Sequence, residues 1–227
     1  SQEIRYGLYT LEIKILKSSI YLKRINKLNS CNLYLITAPH HDLSKIVKGA
    51  LRKGVKMIQY RNKTSSDIEK LKEAKELCQI CNDFNALFIV NDRIDIAIAA
   101  NADGIHLGQD DIPISIARGI IGEDKLIGIS THSEQQIKEA SAEGGNYLGV
   151  GPIHLTATKP NIQSLGFDYL RKVSRLTTLP WFAIGGINTS NLSKIKSTGT
   201  KRIAVVGAIM NSKDPHKSTD QLIKALQ

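Results

Sequence analysis

Eight short apolar runs punctuate the chain from residue 33 to its end, and each is followed within a few residues by Gly, Asn, Asp or Ser. They are LYLIT (33–37), MIQY (57–60), ALFIV (86–90), GIHL (104–107), LIGIS (126–130), YLGV (147–150), WFAI (181–184) and RIAVV (202–206). A continuous apolar run this short reads as a strand buried on both faces, the condition of parallel strands flanked by helices. Between the runs lie segments with helical spacing, such as Asp67 to Cys81, and Ser133 to Glu143, where Ile137, Ala140 and Gly144 predict one buried face. Eight strand–helix units in about two hundred residues predict a (β/α)8 barrel. A doubly wound open sheet would need fewer strands, and the G-x-G-x-x-G turn that such sheets carry after their first strand is absent.

Residues 1–32 precede the first unit and read as an N-terminal helical extension to a barrel domain over 33–227. Leu8, Leu11, Ile15, Leu22 and Ile25 fall at three- and four-residue steps, which predicts an apolar helical seam covering the barrel's lower end. The same seam leaves homo-oligomerisation open. No run of eighteen apolar residues and no apolar leader core occurs, so the expectation is a protein of the cytoplasm or an organelle stroma, without a membrane span. Three cysteines, an odd number, point away from a disulfide framework.

A formal net charge of +10 raises nucleic acid as a partner. Residues 1–30 contribute +4 of it and the rest is thinly spread, while aromatics are only 5% of the chain, too few for a stacking surface. Nucleic acid is therefore not expected, and phosphorylated small molecules fit the charge better.

In such a barrel the chemistry lies at the C-terminal ends of the strands. The second run ends in Gln59, Arg61 and Lys63, the third in Asn91, Asp92 and Arg93, and the fourth leads to Gln109, Asp110 and Asp111. The fifth ends at Ser130, the sixth opens into the polar stretch GPIHLTATKP (151–160), the seventh meets Gly185 and Gly186, and the eighth meets Gly207. Asp92 and Asp111, from adjacent strand ends, can share a Mg2+ ion whose open positions would take a diphosphate. The plainer alternative makes Asp92 the cap of a helix beginning near Ile94. Three cations, Arg61, Lys63 and Lys159, favour the metal–diphosphate reading. The two glycine loops together suit a phosphate held by backbone N–H groups, though each alone is explained by a tight turn.

Other candidates weigh less. Cys78 and Cys81 lie in a predicted helix and read as core residues. His40, His41 and Asp42 have metal-ligating side chains but stand at a helix start, where Asp42 can cap. His106, within the fourth run, reads as barrel-facing.

The ordered segments QYRNK (59–63), NDRID (91–95), GIHLGQDD (104–111), IGISTH (127–132), GVGPIHLTATK (149–159) and AIGGI (183–187) resemble the thiamine phosphate synthase family. The resemblance implies a transferase that joins a hydroxymethylpyrimidine diphosphate to a hydroxyethylthiazole phosphate and releases pyrophosphate. It also implies that Gln59, Arg61, Lys63, Asn91 and Lys159 hold the pyrimidine diphosphate, that Asp92 and Asp111 hold Mg2+, and that Ser130 contacts the pyrimidine. Thr156, Thr158, Gly186, Val206 and Gly207 would hold the thiazole phosphate. Four positions depart from the usual family pattern: Tyr60 stands where the family usually has an aliphatic residue, His154 and Leu155 where it often has an aromatic followed by proline, and Gly207 where it usually has a serine.

Overall fold

The computed structural model describes residues 2–154 and 164–227. A long helix, α1 (Gln2–Asn29), is followed by alternating elements: β1 (Leu33–Ile36), α2 (Leu43–Arg52), β2 (Met57–Tyr60), α3 (Asp67–Asp83), β3 (Leu87–Asn91), α4 (Ile94–Ala99), β4 (Gly104–Leu107) and α5 (Ile114–Ile121). The second half continues with β5 (Leu126–Thr131), α6 (Glu134–Ala142), β6 (Tyr147–Val150), α7 (Gly166–Leu176), β7 (Trp181–Ile184), α8 (Leu192–Lys196), β8 (Ile203–Val205), a short α9 (Gly207–Met210) and α10 (Pro215–Leu226). The strands close in sequence order into an all-parallel barrel, β1 pairing with β2 on one side and β8 on the other. The expected (β/α)8 architecture is the one observed.

Alternation along each strand divides the core in two. Outward residues such as Leu35, Ile58, Phe88 and Ile105 pack with the helices, and inward residues such as Tyr34, Met57, Leu87, Tyr147 and Phe182 fill the barrel. Inward glycines make room for the large rings. A Cβ on Gly128 would stand 2.0 Å from Tyr147 Cζ, and one on Gly149 would stand 3.3 Å from His106 Cε1. The two positions trade strand propensity for space. Cys78 and Cys81 are buried free thiols, as core cysteines should be.

The predicted extension is helical, but only its C-terminal turns meet the barrel. Leu28 is buried among the inward residues, with Tyr21 and Ile25 packed beside it. Arg24 donates from Nε to Asp103 Oδ1 (2.8 Å) and from Nη1 to Asp124 Oδ2 (2.8 Å), just ahead of β4 and β5, and Tyr21 Oη accepts from Asn146 Nδ2 at 3.0 Å. The predicted seam does not cover the barrel's lower end. Leu8, Leu11, Ile15 and Leu22 are 54–61% exposed, the first three because α1 has left the barrel by that point and Leu22 because it faces away from it, and Ile25 alone of the five is half-buried. Two smaller expectations also change. Gly144 lies beyond α6 at φ +90°, exposed, so it terminates the helix rather than joining Ile137 and Ala140 on the buried face. Asp42 precedes α2 but makes no side-chain cap bond.

Candidate active site at the barrel mouth

A cavity of about 740 Å³ opens at the C-terminal ends of the strands. Gln59, Arg61, Lys63, Asn91, Asp92, Asp111, Ser130, Gly186, Val206 and Gly207 all line it, although they come from six different strand ends. Thr156, Thr158 and Lys159 lie outside the described residues. Of the departures from the family pattern, Leu155 also lies outside them, and His154 stacks edge-on against Phe167 with ring centroids 4.9 Å apart. Tyr60 points away from the mouth, its hydroxyl bonded to Glu73 Oε2 at 2.7 Å.

The acidic pair carries the sharpest geometry. Asp92 sits at φ +60°, a left-handed conformation that non-glycine residues seldom adopt and that tends to mark functional positions. Its backbone N–H donates to the His106 carbonyl at 2.9 Å, so the turn after β3 is tied to β4. The residue preceding α4 is Arg93, and Asp92 does not cap that helix. Its carboxylate instead meets Lys63 Nζ at 3.2 Å. Asp111 accepts from the Gly108 N–H at 2.6 Å. Burial, and next the charge of Asp92, hold the Asp111 carboxyl above its ordinary range, with the Gly108 N–H pulling the other way. Two hard oxygen donors whose negative charges oppose each other suit a divalent cation, which would remove that conflict. The cations are presented differently. Arg61 is anchored through its backbone N–H to Thr37 Oγ1 (3.0 Å), and among the described residues its guanidinium has no carboxylate partner.

Across the mouth, Gly185 (φ +107°) and Gly186 (φ +63°) follow β7. A Cβ on Gly185 would lie 2.5 Å from Pro152 Cα, so packing alone demands glycine there. The Gly186 carbonyl accepts from Asn191 Nδ2 at 2.8 Å, which orders the loop before α8. Gly207 starts α9, and Asn211 Nδ2 lies 3.3 Å from where its Cβ would be, so an amide occupies the side where the family pattern has a serine hydroxyl.

Several mouth residues escaped the sequence reading as site candidates. His132, Gln136, Asn188 and Asn211 line the cavity. Gln136 Oε1 accepts from the His132 N–H at 2.6 Å, and His132 Nδ1 bonds the Gly151 carbonyl. His132 stood in the IGISTH segment and was legible there; Asn188 and Asn211 had no sequence signal beyond following a glycine loop. The one cluster of three metal-ligating side chains among the described residues is His40, His41 and Asp42, with the two imidazoles stacked 4.4 Å apart. It lies in the β1–α2 loop and contributes nothing to the lining of the mouth.

Fold and site together define a class: a (β/α)8 barrel with a charged, open mouth at the strand ends where such barrels carry their chemistry. The comparisons with known proteins narrow it. A family model described as thiamine monophosphate synthase matches residues 33–209, and the chain belongs to that family. It is 53% identical over 229 residues to a thiamine-phosphate synthase of Prochlorococcus marinus (strain MIT 9303), covering 99% of this chain and 65% of that protein. A thiamine-phosphate synthase of Thermosynechococcus vestitus is 45% identical, with 64% of its length covered. The chain thus spans about two thirds of the length of these relatives. Among solved structures, thiamine phosphate pyrophosphorylase from Pyrococcus furiosus superposes with a TM-score of 0.80 at 36% identity, covering 89% of this chain and 96% of that one. A 3-hexulose-6-phosphate synthase, 15% identical with a TM-score of 0.63, shares the fold alone.

Proposed function

We propose that the mouth catalyses thiamine phosphate synthesis: a (4-amino-2-methylpyrimidinyl)methyl diphosphate alkylates the ring nitrogen of a thiazole phosphate, giving thiamine phosphate and pyrophosphate. The observation that carries the reading is the meeting of Arg61 and Lys63 with the Asp92–Asp111 pair on one rim of a cavity, opposite two glycine loops. The family membership and the names of the relatives support it.

The thiazole nitrogen has a free lone pair and no proton to lose, so the reaction asks for no general base. The C–O bond at the pyrimidine's methylene breaks, pyrophosphate leaves with the electron pair, and the nitrogen lone pair forms the new C–N bond. Negative charge grows on the leaving group, and cations aimed at it stabilise the transition state more than the ground state. Arg61, Lys63 and Lys159 are assigned that task, with Gln59, Asn91 and Ser130 holding the pyrimidine portion. Asp92 and Asp111 would hold Mg2+, which supplies further positive charge to the diphosphate when bound. Thr156, Thr158, Gly186, Val206 and Gly207 would hold the thiazole phosphate, and the amide of Asn211 stands beside Gly207 where it can replace the missing hydroxyl.

The test is direct. The protein is mixed with both heterocyclic substrates, with Mg2+ or with EDTA, and thiamine phosphate and pyrophosphate are measured. Stoichiometric, magnesium-dependent formation of both is expected. Absence of product alongside binding of thiazole phosphate would overturn the synthase and point to a tautomerase of the same barrel.

A further inference from the structure

A chain of polar groups crosses the otherwise apolar interior of the barrel beneath the mouth. Gln59 Nε2 donates to Tyr34 Oη at 2.6 Å, Tyr34 Oη lies 2.9 Å from Tyr147 Oη, Tyr147 Oη lies 3.2 Å from His106 Nδ1, and His106 Nε2 lies 3.0 Å from Ser130 Oγ. Tyr34, Tyr147 and Gln59 are fully buried. Gln59, His106 and Ser130 reach the floor of the cavity, whereas the two tyrosines lie below it. The space is reserved: Gly128 leaves room for the Tyr147 ring, and Gly149 for the His106 imidazole.

Each hydroxyl has one proton, so the direction of one bond dictates the next. With the Gln59 amide donating, the Tyr34 oxygen is an acceptor there, and among the described residues the partner left for its own proton is the Tyr147 oxygen. Tyr147 must then donate to His106 Nδ1. That makes Nδ1 the unprotonated nitrogen and puts the imidazole proton on Nε2, from which it is donated to Ser130 Oγ. The Ser130 proton is left to face the cavity. The opposite direction would strand the Tyr34 proton in a dry interior, where an unmade hydrogen bond is costly.

We infer that Tyr34, Tyr147 and His106 are positioning residues that set the polarity of the cavity floor, so that Ser130 offers a proton, rather than a lone pair, to an unprotonated ring nitrogen of a bound heteroaromatic substrate. The identity of that substrate rests on the function proposed above; the polarity does not. A floor wired this way rejects a ring that presents N–H or C–H at the same place, because the Ser130 donor would then be unmatched.

The protein labelled with 15N-histidine is examined by long-range 1H–15N correlation without substrate. His106 is expected as the neutral tautomer protonated at Nε2, and the signature is expected to be lost in Tyr147→Phe. Any other protonation pattern for wild-type His106 overturns the inference. In kinetics, Tyr147→Phe is expected to raise KM for the pyrimidine diphosphate about tenfold, the loss of one neutral hydrogen bond, with KM for the thiazole phosphate unchanged. Equal changes in both would mean a merely structural effect and would also overturn it. If Tyr147→Phe does not fold, the wild-type spectrum still decides. The two readings fail separately: Nε2 protonation in a protein that makes no thiamine phosphate keeps the relay and removes the synthase, and turnover with Nδ1 protonation does the reverse.

Discussion

At the scale of single residues, the mouth holds one carboxyl in a setting that disfavours its charge. Asp111 is held above its ordinary range by burial and by Asp92. The folded state therefore grips that proton more tightly than the unfolded chain does, and stability falls as pH rises from the ordinary carboxyl range through the raised folded value. Asp111→Asn removes this conflict. It is expected to raise Tm in Mg2+-free buffer by a few degrees, the equivalent of about 1 kcal/mol in a domain of this size, while weakening Mg2+ binding in calorimetry. A fall in Tm would mean that the Gly108 contact outweighs the repulsion. Lys63 is a different case, an exposed ammonium paired to Asp92. Lys63→Ala is expected to lower kcat about a hundredfold, as loss of a transition-state donor does, with Tm little changed, because exposed ion pairs contribute at most about 1 kcal/mol. Asp92, Asp111, Arg61 and Lys63 were legible in the sequence as residues of the rim, since side chains of these types after successive strand runs have few structural reasons to coincide. Asn211 was not, because its place beside Gly207 depends on how α9 turns.

At the scale of elements, α1 divides into two parts with opposite sensitivities. Its last turns are locked by Arg24, whose guanidinium is nearly buried between Asp103 and Asp124. Arg24→Ala leaves two partly buried carboxylates uncompensated and is expected to cost about 3 kcal/mol in urea unfolding. The earlier turns touch little. Leu11→Ser and Ile15→Ser are each expected to change stability by no more than about 0.5 kcal/mol in the same measurement, and a larger loss would reveal that something covers this face in solution. Heptad spacing was plain in the sequence. Its direction was not, because periodicity says which residues share a face and nothing about what that face meets.

At the scale of the whole molecule, closure of β1 onto β8 is what gathers residues 59 to 207 around one cavity. Among the described residues no helix is long and apolar enough to cross a membrane. Inorganic pyrophosphate with Mg2+ is expected to raise the melting temperature, by about 2.7 kcal/mol of stabilisation at a hundredfold excess over Kd, and by far less when EDTA is present. An equal shift in both buffers would count against a shared metal–diphosphate site. The sequence by itself determined the barrel, through eight doubly buried apolar runs, and the chemistry of the rim, through the residue types that follow them. Only the tertiary structure decided that the earlier turns of α1 do not pack on the barrel, that Asp92 adopts a left-handed turn instead of capping α4, and that Tyr34, Tyr147 and His106 join Gln59 to Ser130. Those features depend on which inward side chains meet across the closed sheet, a relation between residues up to 113 apart in the chain that no local pattern encodes.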